Sequence, residues 1–291
     1  MTACAPSDPA LSAAYQAAQA TVRALDEDRY LATLFAPEAA RPHLFALYAF
    51  SAEISRVRSQ VREAMPGEIR FQWWRDFLNG KPHGDASGHP LARALSATIG
   101  ACALPVKPLL DLIEARTFDL YDDPMPTWLD CEGYCGETSS ALIQLACLCL
   151  TGGSDPGAAQ AAGHAGVAYA LTGLLRAFPW TSRRGQLFLP ADVFAAHGVK
   201  PEAVRAGQDS PGLRAALGEI RARAGDHLAK TRALIGTVSP AIAPAFLPVA
   251  MVDPYLKTMA RADYDPFRSR VEVGKLAKLW RFWRQARCAG I

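Results

Sequence analysis

A long uncharged segment, from Gly157 to Leu175, limits the possible folds of this chain more than any other feature. It holds no Asp, Glu, Lys or Arg, and it carries small residues that let neighbouring helices approach closely: Gly163, Gly166, Ala170 and Gly173. A helix that is apolar on all sides is expected to be buried. Arg176 ends the segment, and its charge is costly to bury unless an anion or a carboxylate meets it. Pro179 then predicts an interruption, because proline lacks the backbone N–H that a helix uses.

The rest of the chain favours helices over strands. Half of the 291 residues are hydrophobic, alanine and leucine dominate, and the alternation of Val, Ile and Thr that is typical of strands is scarce. We therefore predict one all-α domain over residues 1–291, frayed over 1–10, with a Gly/Pro-rich loop over 79–90. The expected helices are 11–25, 43–63, 69–78, 91–101, 106–121, 127–150, 164–175 and 210–234, with short or kinked helices over 239–255.

Charge and cysteine usage exclude several classes of protein. A net charge of +3 is too small to indicate a nucleic-acid partner. Seven cysteines are an odd number, and most lie in or beside apolar helices, so we expect buried, reduced thiols. Cys131 and Cys135 have a spacing that can hold a metal, but no histidine pair or second CxxC accompanies them. Without a signal peptide or a spanning segment, the chain is expected to be cytoplasmic, at most peripheral on the inner face of the membrane.

Two segments resemble the signatures of the squalene/phytoene synthase family. Residues 173–190 read GLLRAFPWTSRRGQLFLP, similar to the family's N-I-L-R-D-x-x-x-D followed by R-R-G-R-x-Y-L-P. Residues 46–59 read ALYAFSAEISRVRS, similar to A-L-Y-A-F-C-R-x-x-D-D-x-x-D. Shorter matches follow in the family's order: Trp73-Trp74-Arg75, Phe118-Asp119-Leu120 and Tyr134-Cys135. The resemblance implies an isoprenoid-synthase-like helical bundle around a central cavity.

The same resemblance shows which chemistry is missing. In the family, carboxylates at i and i+4 on two facing helices hold Mg²⁺ ions that clamp a prenyl diphosphate. The corresponding positions here are Ser55, Ser59, Ala177 and Thr181, and Arg56 replaces a middle aspartate. Neutral hydroxyls are weak ligands, so no cofactor is expected, and Mg²⁺ would enter only through a displaced site.

A narrower resemblance points to one subgroup. The segments 50–54, 58–61 and 69–75 (FSAEI, RSQV and IRFQWWR) look like complex I assembly factor 6 and its bacterial relatives. That subgroup keeps the helices of the family and loses the aspartates, as this chain does.

Several arginines and tyrosines are candidates for a pocket that binds an anion. Guanidinium groups can bind a diphosphate directly in place of a metal. The alternative is that the arginines pair with acids such as Glu53, Asp76 and Asp119, and that the tyrosines are simply packed. The candidates are Tyr48, Arg56, Arg75, Tyr134, Arg176, Arg183 and Arg184.

The C-terminal segment, residues 268–291, is predicted to be a basic amphipathic helix. Leu276, Leu279, Trp280 and Trp283 follow helical spacing, and Lys278, Arg281 and Arg284 are assigned to the opposite side. Such helices bind anionic membranes through their cations and interfacial tryptophans. Packing of the apolar stripe on the domain explains the pattern equally well. The membrane-contact candidates are Lys278, Trp280, Arg281, Trp283 and Arg284.

Two functions therefore remain open. The first is a non-catalytic protein that binds a prenyl lipid or a protein partner, for example in respiratory-complex assembly. The second is an active prenyl-diphosphate transferase that uses a displaced metal or an arginine site. The four substituted positions favour the first.

Overall fold

The computed structural model describes residues 8–81, 88–121 and 123–288, and over these ranges it contains helices and no strand. The predicted all-α fold is confirmed. Among the described helices, none combines the length and the apolar character needed to span a bilayer. The helices are α1 (Pro9–Leu25), α2 (Glu27–Thr33), α3 (Arg41–Gln60), α4 (Ala64–Leu78), α5 (Pro90–Ala101), α6 (Lys107–Thr117), α7 (Trp128–Cys135), α8 (Ala141–Thr151), α9 (Ala159–Thr181), α10 (Ala191–Ala196), α11 (Pro201–Arg205), α12 (Pro211–Ile235), α13 (Ala243–Phe246), α14 (Val252–Met259) and α15 (Lys275–Cys288).

Side-chain caps explain where several helices begin. The carboxylate of Asp8 accepts a hydrogen bond from the N–H of Ala10 at 2.9 Å, so α1 starts at Pro9. The expectation of a frayed start was therefore wrong for residues 9 and 10, and residues 1–7 lie outside the described part. Thr127 and Asp130 form a reciprocal capping box at the start of α7. Half of the predicted loop over 79–90, residues 82–87, also lies outside the described ranges.

Two prolines interrupt helices less than the sequence suggested. Pro179 was expected to end the central helix, but α9 continues to Thr181. Proline near a helix end removes one backbone bond, and the hydroxyl of Ser182 donates to the carbonyl of Phe178 at 2.6 Å. The helix predicted over 69–78 was expected to follow Pro66, but α4 already starts at Ala64, so Pro66 lies in its first turn. Proline is tolerated there because the first-turn N–H groups have no helical partner.

A π-helical turn, Gly136–Ser140, joins α7 and α8 end to end. The hydroxyl of Ser140 donates to the carbonyl of Gly163 on α9 at 2.8 Å. A Cβ on Gly166 would lie 2.3 Å from the backbone of Ser140, so only glycine fits at this crossing. Around Gly173, in contrast, a Cβ would meet nothing within 4 Å. Of the small residues predicted to allow close approach, Gly166 is the one for which the contact is evident.

Helix α9 links two clusters of buried apolar side chains. Ala161, Ala162 and Ala165 belong to a cluster built mainly from α1, α3, α5 and α8. Leu171 and Leu175 belong to a second cluster built mainly from α7, α10, α12, α14 and α15. The uncharged segment is thus central, as its composition predicts. Five cysteines are buried with free thiols: Cys102, Cys131, Cys135, Cys147 and Cys149.

Candidate functional site

The four positions that hold aspartates in the family's signatures lie on α3 and α9. Their hydroxyls bond to their own helices: Ser55 donates to the carbonyl of Ala52 at 2.9 Å, and Ser59 to the carbonyl of Arg56 at 2.8 Å. Thr181 donates weakly to the carbonyl of Phe178 at 3.4 Å. In the described part of the chain, no three His, Cys, Asp or Glu side chains are grouped so as to hold a metal ion. Oxygen ligands suited to Mg²⁺ are therefore not gathered at these positions.

An arginine of α2 lies between aromatic rings of two other helices. The guanidinium of Arg29 is 5.4 Å from the ring centre of Tyr48 on α3 and 4.9 Å from that of Tyr169 on α9. It also pairs with Asp26 at 2.8 Å and keeps 13% of its side chain exposed. Burial raises the pKa of both tyrosines, so their hydroxyls stay protonated at neutral pH. Such rings stabilise a partly desolvated cation.

A second arginine lies in a hydrogen-bonded triad. Arg116 of α6 pairs with Asp119 at 3.0 Å, and the hydroxyl of Tyr134 donates to Asp119 at 2.8 Å. Arg116 also donates to the oxygen of Tyr134. Burial raises the pKa of Asp119, although Arg116 and Tyr134 act against this shift. Each member has a partner here, which makes the triad rigid.

The two arginines share one electrostatic environment. Burial works to lower the pKa of Arg116, and its neighbours Tyr134 and Asp119 raise it. The pKa of Arg116 is raised overall, and the positive charge of Arg29 opposes this rise as a smaller effect. We call Arg29 and Arg116 the central arginine pair. Neither residue was predicted from the sequence, because Arg29 directly follows an acidic helix start and Arg116 lies in an ordinary amphipathic helix.

The arginines that were predicted to bind an anion are mostly engaged elsewhere. Arg75 contacts Glu114 at 2.9 Å and Glu68 at 3.8 Å, so its acidic partners differ from those suggested by the sequence. Arg183 donates to the carbonyl of Phe267 at 3.1 Å. Arg56 and Arg184 have exposed side chains. The structure thus places Tyr48 and Tyr134 beside the central arginine pair and Arg75 outside that group.

Arg176 belongs to a cluster around a buried carboxylate, Asp28 of α2. Its guanidinium lies 3.8 Å from the ring centre of Tyr255 and 3.9 Å from Asp28. The hydroxyl of Tyr255 donates to Asp28 at 2.7 Å. Lys278 of α15 lies 2.7 Å from Asp28 and also 2.7 Å from Glu27. The carboxylate that Arg176 requires is therefore supplied by the protein itself.

The cluster corrects the predicted orientation of the C-terminal helix. Lys278 keeps 8% of its side chain exposed, so its assignment to the solvent side, and as a membrane contact, was wrong. Phe282, one turn later, is fully buried and meets the ring of Phe35 edge to face. Trp280 and Trp283 are exposed instead. The C-terminal helix was predicted to start at residue 268, but α15 begins at Lys275. Residues 289–291 lie outside the described part.

Comparison with known proteins places this geometry in a family. The family model described as squalene/phytoene synthase matches residues 22–277. Complex I assembly factor 6 of Rattus norvegicus is 32% identical over 256 residues, which cover 86% of this chain and 75% of that protein. A 15-cis-phytoene synthase of Synechococcus elongatus is 25% identical over 285 residues, 92% of this chain and 91% of that protein. A dehydrosqualene synthase crystallised with a ligand superposes with a TM-score of 0.82 at 18% identity, covering 96% of each chain. The chain therefore belongs to the squalene/phytoene synthase family.

Proposed function

We propose that this chain is a non-catalytic member of the family, which binds a prenyl lipid or a protein partner and acts in the assembly of a respiratory complex. One observation carries the proposal: the hydroxyls of Ser55, Ser59 and Thr181 donate to their own helices, and Ala177 offers no ligand. Family members that form prenyl–prenyl bonds need ions to neutralise the departing diphosphate. These four positions supply no charge for that purpose.

The central arginine pair does not replace the missing ions. Arg29 and Arg116 each already pair with a carboxylate, at 2.8 Å to Asp26 and 3.0 Å to Asp119. A bound diphosphate would have to compete with these carboxylates. Two partly neutralised guanidiniums suit the recognition of a polar lipid head or a partner's acidic group better than the stabilisation of a highly charged leaving group.

The assembly role comes from the relatives. Their printed name concerns NADH dehydrogenase (ubiquinone) complex I, which suggests that this chain serves the same complex. We infer that it would work in the cytoplasm, at the inner face of the membrane in which such a complex is built. A prenyl lipid fits this role, because the family resemblance implies a central cavity walled by apolar helices.

The decisive catalytic test uses the purified chain with Mg²⁺ and farnesyl or geranylgeranyl diphosphate. We expect no squalene, presqualene diphosphate or phytoene above a control without enzyme, while a phytoene synthase run in parallel forms product. Product from this chain would instead establish the second candidate function, a prenyl-diphosphate transferase with a displaced metal or arginine site. Mass spectrometry of lipids extracted from the purified chain identifies a bound prenyl lipid directly.

The assembly role needs a separate test in the host cell. We expect deletion of the gene to lower NADH oxidation by isolated membranes and the amount of assembled complex I, while succinate oxidation is unchanged. The native chain should restore both, as should Arg205→Gln, a matched control because Arg205 is exposed on α11. Arg116→Gln should restore less NADH oxidation and less assembled complex I, provided that the variant is folded. Equal NADH oxidation with and without the gene would contradict the assembly role.

A further inference from the structure

The outward side of α15 carries three large apolar side chains in a row. Leu276, Trp280 and Trp283 are exposed to 83%, 55% and 47%, and their spacing places them on one face of the helix. We call these three residues the tryptophan face. Large apolar side chains grouped on a surface commonly mark a site of contact with another molecule.

The opposite side of α15 fixes this face in place. Lys278 and Phe282 are buried, with Lys278 held by Glu27 and Asp28 at 2.7 Å each. A helix that only served the core would bury its tryptophans and expose its lysine. This helix does the reverse. The tryptophan face is thus presented by a rigidly anchored helix and requires no unfolding to meet a partner.

Basic side chains surround the tryptophan face. From Arg268 to Cys288 the chain has seven basic residues and one acid, Glu272. The guanidinium of Arg284 lies 4.8 Å from the ring centre of Trp280, and that of Arg287 lies 4.6 Å from Trp283. Lys278 is neutralised by its own ion pairs, so the positive charge available to a partner comes chiefly from the arginines.

A third exposed tryptophan repeats the arrangement beside the segment that precedes α15. Trp180, at the end of α9, is 45% exposed, and the guanidinium of Arg270 lies 5.5 Å from its ring centre. Arg270 belongs to the segment that leads into α15. Indole rings beside guanidiniums match the boundary between lipid headgroups and acyl chains, where the ring is partly buried and the cation meets phosphate.

We propose that the tryptophan face of α15 docks the protein on an anionic lipid bilayer, with its tryptophans at the depth of the headgroups. Charge complementarity favours this partner, because the face has cations and no acid within α15. A second copy of the chain is disfavoured, because a two-fold contact through this face would bring like charges together. The proposal does not depend on whether the central site binds a lipid.

Vesicle sedimentation tests the proposal with the full chain. We expect binding to vesicles with about 40% phosphatidylglycerol, weak binding to pure phosphatidylcholine, and loss of binding as salt is raised. Trp280→Ser/Trp283→Ser should weaken binding at least about tenfold, because it removes the apolar contact. Arg281→Glu/Arg284→Glu should weaken it by a similar or larger factor, since each basic residue near such a surface strengthens binding about fivefold.

A matched variant controls for net charge. Lys107→Glu/Lys230→Glu changes the charge as much as the arginine variant does, at exposed positions on α6 and α12, and should bind nearly as well as the native chain. All substituted side chains except the partly exposed Arg281 are exposed, so thermal midpoints should confirm that every variant is folded. The proposal would be overturned if the native chain did not bind vesicles, or if all variants bound equally. It would also be overturned if the chain bound no vesicles but self-associated, and Trp280→Ser/Trp283→Ser abolished that self-association.

Discussion

Replacing Lys278 by methionine should destabilise the protein more than any other single loss of charge on α15. The lysine Nζ lies 2.7 Å from both Asp28 and Glu27, and the side chain is 8% exposed. Burial by itself would lower the pKa of Lys278, but hydrogen bonds to Asp28 and Glu27 raise it above its usual value. A raised lysine pKa stabilises the fold at every pH below the unfolded value of about 10.4, so the full effect is present at pH 7.

The size of the effect follows from what remains around Asp28. Removing one partner of a buried ion pair typically costs about 3–5 kcal/mol, because the other charge is left buried. Asp28 would keep the hydroxyl of Tyr255 at 2.7 Å and Arg176 at 3.9 Å, and Glu27 is 43% exposed and can meet water. We therefore expect the free energy of unfolding to fall by about 2–3 kcal/mol, at or below the lower end of that range. For a chain of this size, that lowers the thermal midpoint by about 4–8 °C.

Circular dichroism during heating measures this change. The matched control is Lys275→Met, which removes the same charge from an exposed position one turn earlier and should shift the midpoint by about 1 °C or less. Equal thermal midpoints for Lys278→Met and Lys275→Met would show that the buried ion pair does not stabilise the fold.

Two further predictions concern packing and pH. Gly166→Ala should destabilise the fold strongly, since its Cβ would lie 2.3 Å from Ser140, whereas Gly163→Ala meets nothing within 4 Å and should raise the thermal midpoint slightly. Burial lowers the pKa of His43, and burial with the nearby His227 lowers that of His164. The folded state thus prefers both neutral, so stability present above pH about 6.5 should fall as the pH drops through their lowered values. Thermal melts at pH 7.5 and 5.5 should show this loss, and His43→Gln/His164→Gln should reduce it; an equal loss in that variant would contradict the assignment.

Local patterns predicted most helices because periodicity and caps act over a few residues. The uncharged segment fell in the centre, where its composition requires it to be. The helix ends were predicted less well than the helices themselves. Pro179 lies near the end of α9 and Pro66 in the first turn of α4, where a proline costs little because one helical hydrogen bond or none is lost.

The candidate site was harder to predict, because its contacts join distant parts of the chain. Tyr48 and Tyr134 were found through the family's signatures, but their partners Arg29 and Arg116 belong to no signature. The face that α15 buries was also misjudged. Periodicity places the tryptophans on one side but cannot show that Lys278 finds two carboxylates 250 and 251 positions earlier.

The pairing of Lys278 with Glu27 and Asp28 also bears on how the chain is made. These contacts join α2 to α15, which are far apart in the sequence, so they form only after α15 has left the ribosome. Until then Asp28 lacks its lysine, and the pocket for Phe282 is empty beside Phe35. A chain that stops before α15 exposes both defects. The core is thus complete only once α15 has been made, and products that stop before this helix should be open to chaperones and proteases.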